Sequence, residues 1–136
     1  MQGVNMGKTI LIVEDEKDMH ELYSDMFEGT DYNIVCAYDG DEAFEKLKEY
    51  KPNIIILDII LDLVPGDTFF MYLKSTPEYS SIPVIIASSL STRSHRNLKK
   101  IDPDLVFLEK PFNRDRLLKE VEAKLQDIKK GKNHGI

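Results

Sequence analysis

Two kinds of hydrophobic pattern alternate along the chain. Continuous branched runs, Thr9 to Val13 (T-I-L-I-V) and Asn53 to Leu57 (N-I-I-I-L), lack the polar alternation of a half-buried strand, so they predict parallel strands covered on both faces. A shorter run at Asn33 to Ala37, V-I-I-A after Pro83, and Val106 to Leu108 complete five strands. Between them the apolar residues fall at helical spacing: Met19, Leu22, Tyr23, Met26 and Phe27, stopped by Gly29; Ala43, Phe44 and Leu47, ending before Pro52; Phe69, Phe70 and Leu73, opened by Asp67 as a cap and closed by Pro77. The last stripe, Leu117, Leu118, Val121, Leu125 and Ile128 after an Asn113 cap, is the clearest. The segment Leu90 to Asp104 offers only Leu98 and Ile101 as an apolar face, which predicts a short, weakly held helix capped by Thr92. Met1 to Gly7 and the basic tail from Lys129 read as loose ends, leaving one domain over residues 8 to 130 with flexible termini at 1 to 7 and 131 to 136.

Five strands alternating with five helices through short loops mean an open α/β sheet wound on both faces, the flavodoxin-like (βα)5 arrangement, for which 2-1-3-4-5 is the usual strand order. Its 136 residues suffice for one core. The net charge of -6 argues against a general nucleic-acid surface. No apolar run approaches a membrane span, and the single Cys36, set in an apolar run, reads as a small core residue of a reducing compartment. The expectation is a cytoplasmic chain with no membrane and no direct nucleic-acid partner.

In such sheets ligands bind at the carboxyl ends of the strands. Those ends deliver Glu14 and Asp15 from the first strand, Asp58 from the third, Ser88 from the fourth and Lys110 from the fifth. Three carboxylates crowded together repel unless a cation neutralises them, and an all-oxygen set suits a hard divalent ion; magnesium fits because it takes few carboxylates and completes its shell with water and phosphate. A lysine and a hydroxyl facing it would supply charge and a donor for a phosphoryl group, leaving Asp58 as the nucleophile. Taken singly, Asp58 is a common turn former at a strand end; the set raises it above that.

Over roughly Lys8 to Ile128 the chain resembles a response-regulator receiver domain of two-component signalling. The acidic pair Glu14-Asp15, the strand-end Asp58, Gly66 in the following loop, Ser88, and Lys110-Pro111-Phe112 carry the resemblance in order and spacing. It implies that Asp58 accepts a phosphoryl group from a phosphohistidine on a sensor histidine kinase or a histidine phosphotransfer protein. Glu14, Asp15, Asp58 and the backbone carbonyl of Ile60 would hold Mg2+, and Ser88 and Lys110 would bind the phosphoryl oxygens. Phe107 stands where the family has its switching aromatic, so the surface formed by the fourth helix, fifth strand and last helix would change on phosphorylation and meet a protein effector. Such a domain is not an enzyme in the ordinary sense; it catalyses its own phosphotransfer and slow autodephosphorylation.

The chain departs from the family pattern at Glu14, where Asp is commoner, at Asp62, at Ser89, and at Pro103-Asp104 before the fifth strand. The resemblance implies that the second residues after Asp58 and Ser88 control how fast the acyl phosphate is hydrolysed; here they are Ile60 and Leu90, both apolar and unable to orient water, which predicts a long-lived acyl phosphate. The basic cluster Arg93, His95, Arg96, Lys99 and Lys100 reads first as a solvated helix face and second as a dock for an acidic partner. His20, His95 and His134 show no metal spacing and read as surface or helix-face residues. A flavin mononucleotide carrier would need a glycine-rich or hydroxyl-rich loop where Glu14-Asp15 stand, and a phosphoaspartyl phosphohydrolase would need an acid at position 60. A degenerate receiver serving only as an interaction module conflicts with the full residue set.

Overall fold

In the computed structural model, which describes residues 7 to 60, 65 to 89 and 93 to 134, the elements follow one another as β1 Thr9–Val13, α1 Lys17–Met26, β2 Asn33–Ala37, α2 Gly40–Tyr50, β3 Ile54–Leu57, α3 Gly66–Ser75, β4 Val84–Ser88, α4 Arg93–Ile101, β5 Val106–Glu109 and α5 Arg114–His134. All strand pairs are parallel and the sheet order is β2-β1-β3-β4-β5, the usual order for the flavodoxin-like arrangement.

The continuous apolar runs divide their side chains between two layers. Leu11, Val13, Ile55, Leu57, Val84 and Ile86 pack with Ala43, Leu47, Phe69, Phe70, Leu73 and Leu98 of α2, α3 and α4. Ile10, Ile12, Ile54, Ile56 and Ile85 pack with Tyr23, Phe27, Leu117 and Val121 of α1 and α5. Successive strand residues point to opposite faces, so a strand covered on both sides has no polar position to offer.

Helix ends follow local chemistry. Asp39 caps α2 by accepting from the Glu42 N–H, while the Glu42 carboxylate reaches back to the Tyr38 N–H, a reciprocal arrangement like a capping box. Asn113 caps α5 through the Arg116 N–H. Asp67 does not cap α3: the helix starts one residue earlier, with Pro65 at the cap position, and the Asp67 carboxylate turns to the Thr68 N–H. Thr92, the expected cap of α4, lies outside the described residues, as do Asp62 and Leu90. In α4, Leu98 is buried but Ile101 is 43% exposed, so the expected apolar face narrows to one residue among the described side chains. The helix α5 continues to His134, past the end of its apolar stripe, where a loose tail was expected; once nucleated, each further residue adds a backbone bond without needing burial. Cys36 is half-buried, not a core residue, because β2 is an edge strand.

Candidate phosphoryl-transfer site

Backbone bonds carry the sheet pairing one residue past three strands. The N–H groups of Glu14, Asp58 and Lys110 donate to the carbonyls of Ala37, Val13 and Ser88, each at 3.0 Å. Three of the predicted site residues are thereby fixed as extensions of the sheet, and Ser88, the last residue of β4, lies beside Lys110. Glu14, Asp58 and Ser88 are buried at 1%, 7% and 1% exposure and, with His20, are the buried polar residues among those described.

Lys110 ties the set together: its Nζ donates to Glu14 Oε1 at 2.6 Å and to Asp58 Oδ2 at 3.2 Å. Asp58 Oδ1 accepts from the Ile60 N–H at 3.0 Å, and Glu14 Oε2 accepts from the Glu16 N–H at 3.2 Å. The Lys110–Pro111 peptide is cis. Gly66 comes back over the loop after Asp58, its N–H donating to the Ile59 carbonyl at 2.9 Å, and a Cβ there would collide with the Asp58 carbonyl and the Ile59 backbone.

Electrostatics follow from this burial. Loss of water raises the Glu14 carboxyl from 4.5 to about 7; the Lys110 hydrogen bond opposes that rise and the Asp58 charge adds to it. For Lys110 burial acts downward, but the bond to Glu14 and the Asp58 and Glu14 charges outweigh it, so the ammonium holds its proton more tightly than usual. The two directions pull against each other, since a proton on Glu14 would weaken the pair that holds the lysine charge. The 2.6 Å contact is that of an ammonium with a carboxylate, and Lys110 is the charged partner in either state. Beneath the site, burial first and then the Glu14 and Asp58 charges push the Tyr23 hydroxyl above its ordinary range, so it stays protonated.

The donor set fits a hard cation. Glu14, Asp15 and Glu16 each offer a carboxylate oxygen within 4.8 Å of the others, and Lys110 joins Asp58 to Glu14. One lysine does not relieve Glu14, as its raised proton affinity shows, and oxygen-only carboxylate donors are what Mg2+ takes. Glu16, exposed at the helix entry, was not anticipated; its place directly after the acidic pair was the available signal. His20, expected as a surface or helix-face residue, lies on α1 but faces inward. It is 5% exposed, its Nε2 donates to the Glu14 carbonyl at 2.6 Å, and its ring lies 4.3 Å from that of Tyr38. Phe107 is half-buried, packed on the layer formed with α2, α3 and α4, and Ile60 is 51% exposed beside Asp58.

Comparison with known proteins agrees with this geometry. A family model described as the response regulator receiver domain matches residues 10–122. The chain is 33% identical over 121 residues to the response regulator GtcR of Aneurinibacillus migulanus, covering 89% of this chain but only about half, 49%, of that protein's length. It is 27% identical to the polar-differentiation response regulator DivK of Brucella anthropi, covering 90% of this chain and 99% of DivK. Among solved structures, the signal receiver domain of a signal transduction histidine kinase from Syntrophus aciditrophicus superposes with a TM-score of 0.79 at 28% identity, covering 90% of this chain and 93% of that one. NtrX from Brucella abortus superposes at 0.83 with 25% identity, covering 93% of this chain and 29% of that one.

Proposed function

The chain belongs to the response regulator receiver family, and we propose that it is a working phosphoacceptor of two-component signalling with Asp58 as the acceptor, the domain spanning residues 8 to 130. The observation that carries this reading is the Lys110 ammonium bonded at once to Asp58 and Glu14 at the carboxyl edge of the sheet.

In the reaction, a carboxylate oxygen of Asp58 attacks the phosphorus of a phosphohistidine on a kinase or phosphotransfer protein. The P–O bond forms as the P–N bond breaks, the imidazole leaves with the bonding pair, and Asp58 becomes an acyl phosphate. Lys110 is the cation within reach of the Asp58 oxygens, and Ser88, buried beside it, has the hydroxyl to donate to a phosphoryl oxygen. Glu14, Asp15 and Asp58, with the Ile60 carbonyl, would hold Mg2+, which when bound neutralises charge on the transferring group.

The output follows from the same groups. Drawing Ser88 toward the phosphoryl group would let Phe107 turn further inward and shift α4, whose described side chains bury only Leu98. The α4-β5-α5 face then meets a protein effector in the cytoplasm, and the exposed Arg96, Lys99 and Lys100 favour an acidic one. No described helix is long and apolar enough to cross a membrane. The acidic pair after β1 and the apolar Ile60 speak against a flavin carrier and a phosphohydrolase.

Intact-mass analysis with acetyl phosphate and Mg2+ tests the reading. Wild type should gain one phosphoryl group and Asp58→Asn none; a gain that persists in Asp58→Asn, or none in wild type, overturns it.

A further inference from the structure

Glu14, Asp15 and Glu16 are three consecutive acids folded so that their carboxylates lie within 4.8 Å of one another. Like charges drawn together resist that turn, so something must hold its backbone. His20 is bonded to the turn twice. Its backbone N–H donates to the Glu16 carbonyl at 3.3 Å, and its Nε2 donates to the Glu14 carbonyl at 2.6 Å. A carbonyl can only accept, so Nε2 carries a proton and is the donor in this bond. The other ring nitrogen, Nδ1, is buried without a hydrogen-bond partner among the described residues. Leaving a buried polar atom unpaired carries a penalty that an apolar side chain at position 20 would not incur. What such a side chain could not do is supply the Nε2–H to Glu14.

Every other polar atom of Glu14 is already committed: its N–H to Ala37, Oε1 to Lys110 and Oε2 to the Glu16 N–H. The carbonyl is the atom through which the direction of the Glu14–Asp15 peptide is set, and His20 takes it. The far side of the imidazole rests on Tyr38, 41% exposed in the loop after β2, which fixes the ring angle. We infer that His20 is a positioning residue for the divalent cation: through its Nε2 bond to the Glu14 carbonyl, backed by Tyr38, it holds the acidic turn in the form that gathers its carboxylates. The inference rests on the magnesium reading above.

Titration with MgCl2, followed by the Asp15 and Glu16 amide resonances, measures the dissociation constant without any phosphotransfer. His20→Phe keeps a ring against Tyr38 and loses the donor; His20→Gln keeps an N–H donor and loses the ring. The Phe variant should bind Mg2+ about tenfold more weakly, the usual scale for losing a bond that orients a ligand, and the Gln variant should recover most of that. Phe binding as tightly as wild type, or Phe and Gln equally weak, overturns the inference, because then the donor is not what matters. Should His20→Phe not fold, wild type decides: its His20 Nε2–H resonance should move with MgCl2 in step with the Asp15 amide, and a resonance that stays put overturns the inference. Wild type with no measurable Mg2+ binding overturns the metal reading first and the role of His20 with it.

Discussion

Lys110 stands closer to Glu14 than to Asp58, with Nζ 2.6 Å from one carboxylate and 3.2 Å from the other. The lysine is therefore held more closely by Glu14 than by Asp58, the proposed phosphoacceptor, and an Asp in place of Glu14 would have a shorter arm with which to reach it.

Removing that cation should expose the repulsion it hides. Lys110→Met leaves two buried carboxylates facing each other, which we expect to cost about 2 to 3 kcal/mol near pH 8. The loss should shrink toward pH 5, where one carboxyl takes a proton. Urea unfolding at both pH values checks this, and a loss independent of pH would mean that the lysine contributes by packing alone. Phosphorylation by acetyl phosphate should also fall.

Glu14 makes its own prediction. Its folded pKa is raised from 4.5 to about 7, so its contribution to stability is fully present below 4.5 and lost as pH rises through about 7. In metal-free protein, wild type should therefore weaken relative to Glu14→Gln between pH 5 and pH 8, by on the order of 2 to 3 kcal/mol. Adding MgCl2 at pH 8 should restore most of that difference. Parallel pH profiles for the two proteins would show that Glu14 is not strained by its burial.

Much of this arrangement was legible beforehand for a simple reason: strands covered on both faces leave unbroken apolar runs, and the residue that ends such a run must sit at the sheet edge. That placed Glu14, Asp58, Ser88 and Lys110 before any coordinates. His20 was not legible, because its role depends on a turn that brings position 20 of α1 back to the carbonyl of residue 14, and periodicity reports faces, not turns. Cys36 misled for a related reason. An apolar neighbourhood in the sequence does not tell an edge strand from a central one, and β2 is covered on one flank only. The helix α3 began before Asp67 because Gly66 must approach the Asp58 loop closely, a constraint set by tertiary contact.

Gly66 gives the third test. Its φ lies outside the left-handed region, so the objection to alanine is space alone: a Cβ would meet the backbone of Asp58 and Ile59. Gly66→Ala must push the Asp58 loop aside, and we expect a loss of about 1 to 3 kcal/mol, as for other overpacked sites, together with slower phosphorylation. Thermal melting and the acetyl phosphate reaction measure both. A variant with wild-type stability and rate would show that the loop yields freely.

We expect the lifetime of an acyl phosphate on Asp58 to turn on Ile60. Hydrolysis needs a water in line with the departing carboxylate, and orienting it takes a hydrogen-bonding side chain at the mouth of the site. Residue 60 is placed for that task, since its N–H donates to Asp58 Oδ1 at 3.0 Å and its side chain is 51% exposed. An isoleucine there offers water no partner, and Leu90 offers none either. Phosphorylated protein should accordingly lose its phosphoryl group slowly after the donor is removed, and Ile60→Asn should speed that loss about tenfold, less than the roughly hundredfold or more of a side chain that also moves a proton, because an amide only orients the water. Adding Leu90→Glu should change the rate again. The competing view is that water enters regardless and the bound ion alone sets the rate, in which case both side chains only pack. Decay followed by intact mass separates the two: an unchanged half-life in Ile60→Asn and in the double variant would assign the lifetime to the cation and leave Ile60 no part in it.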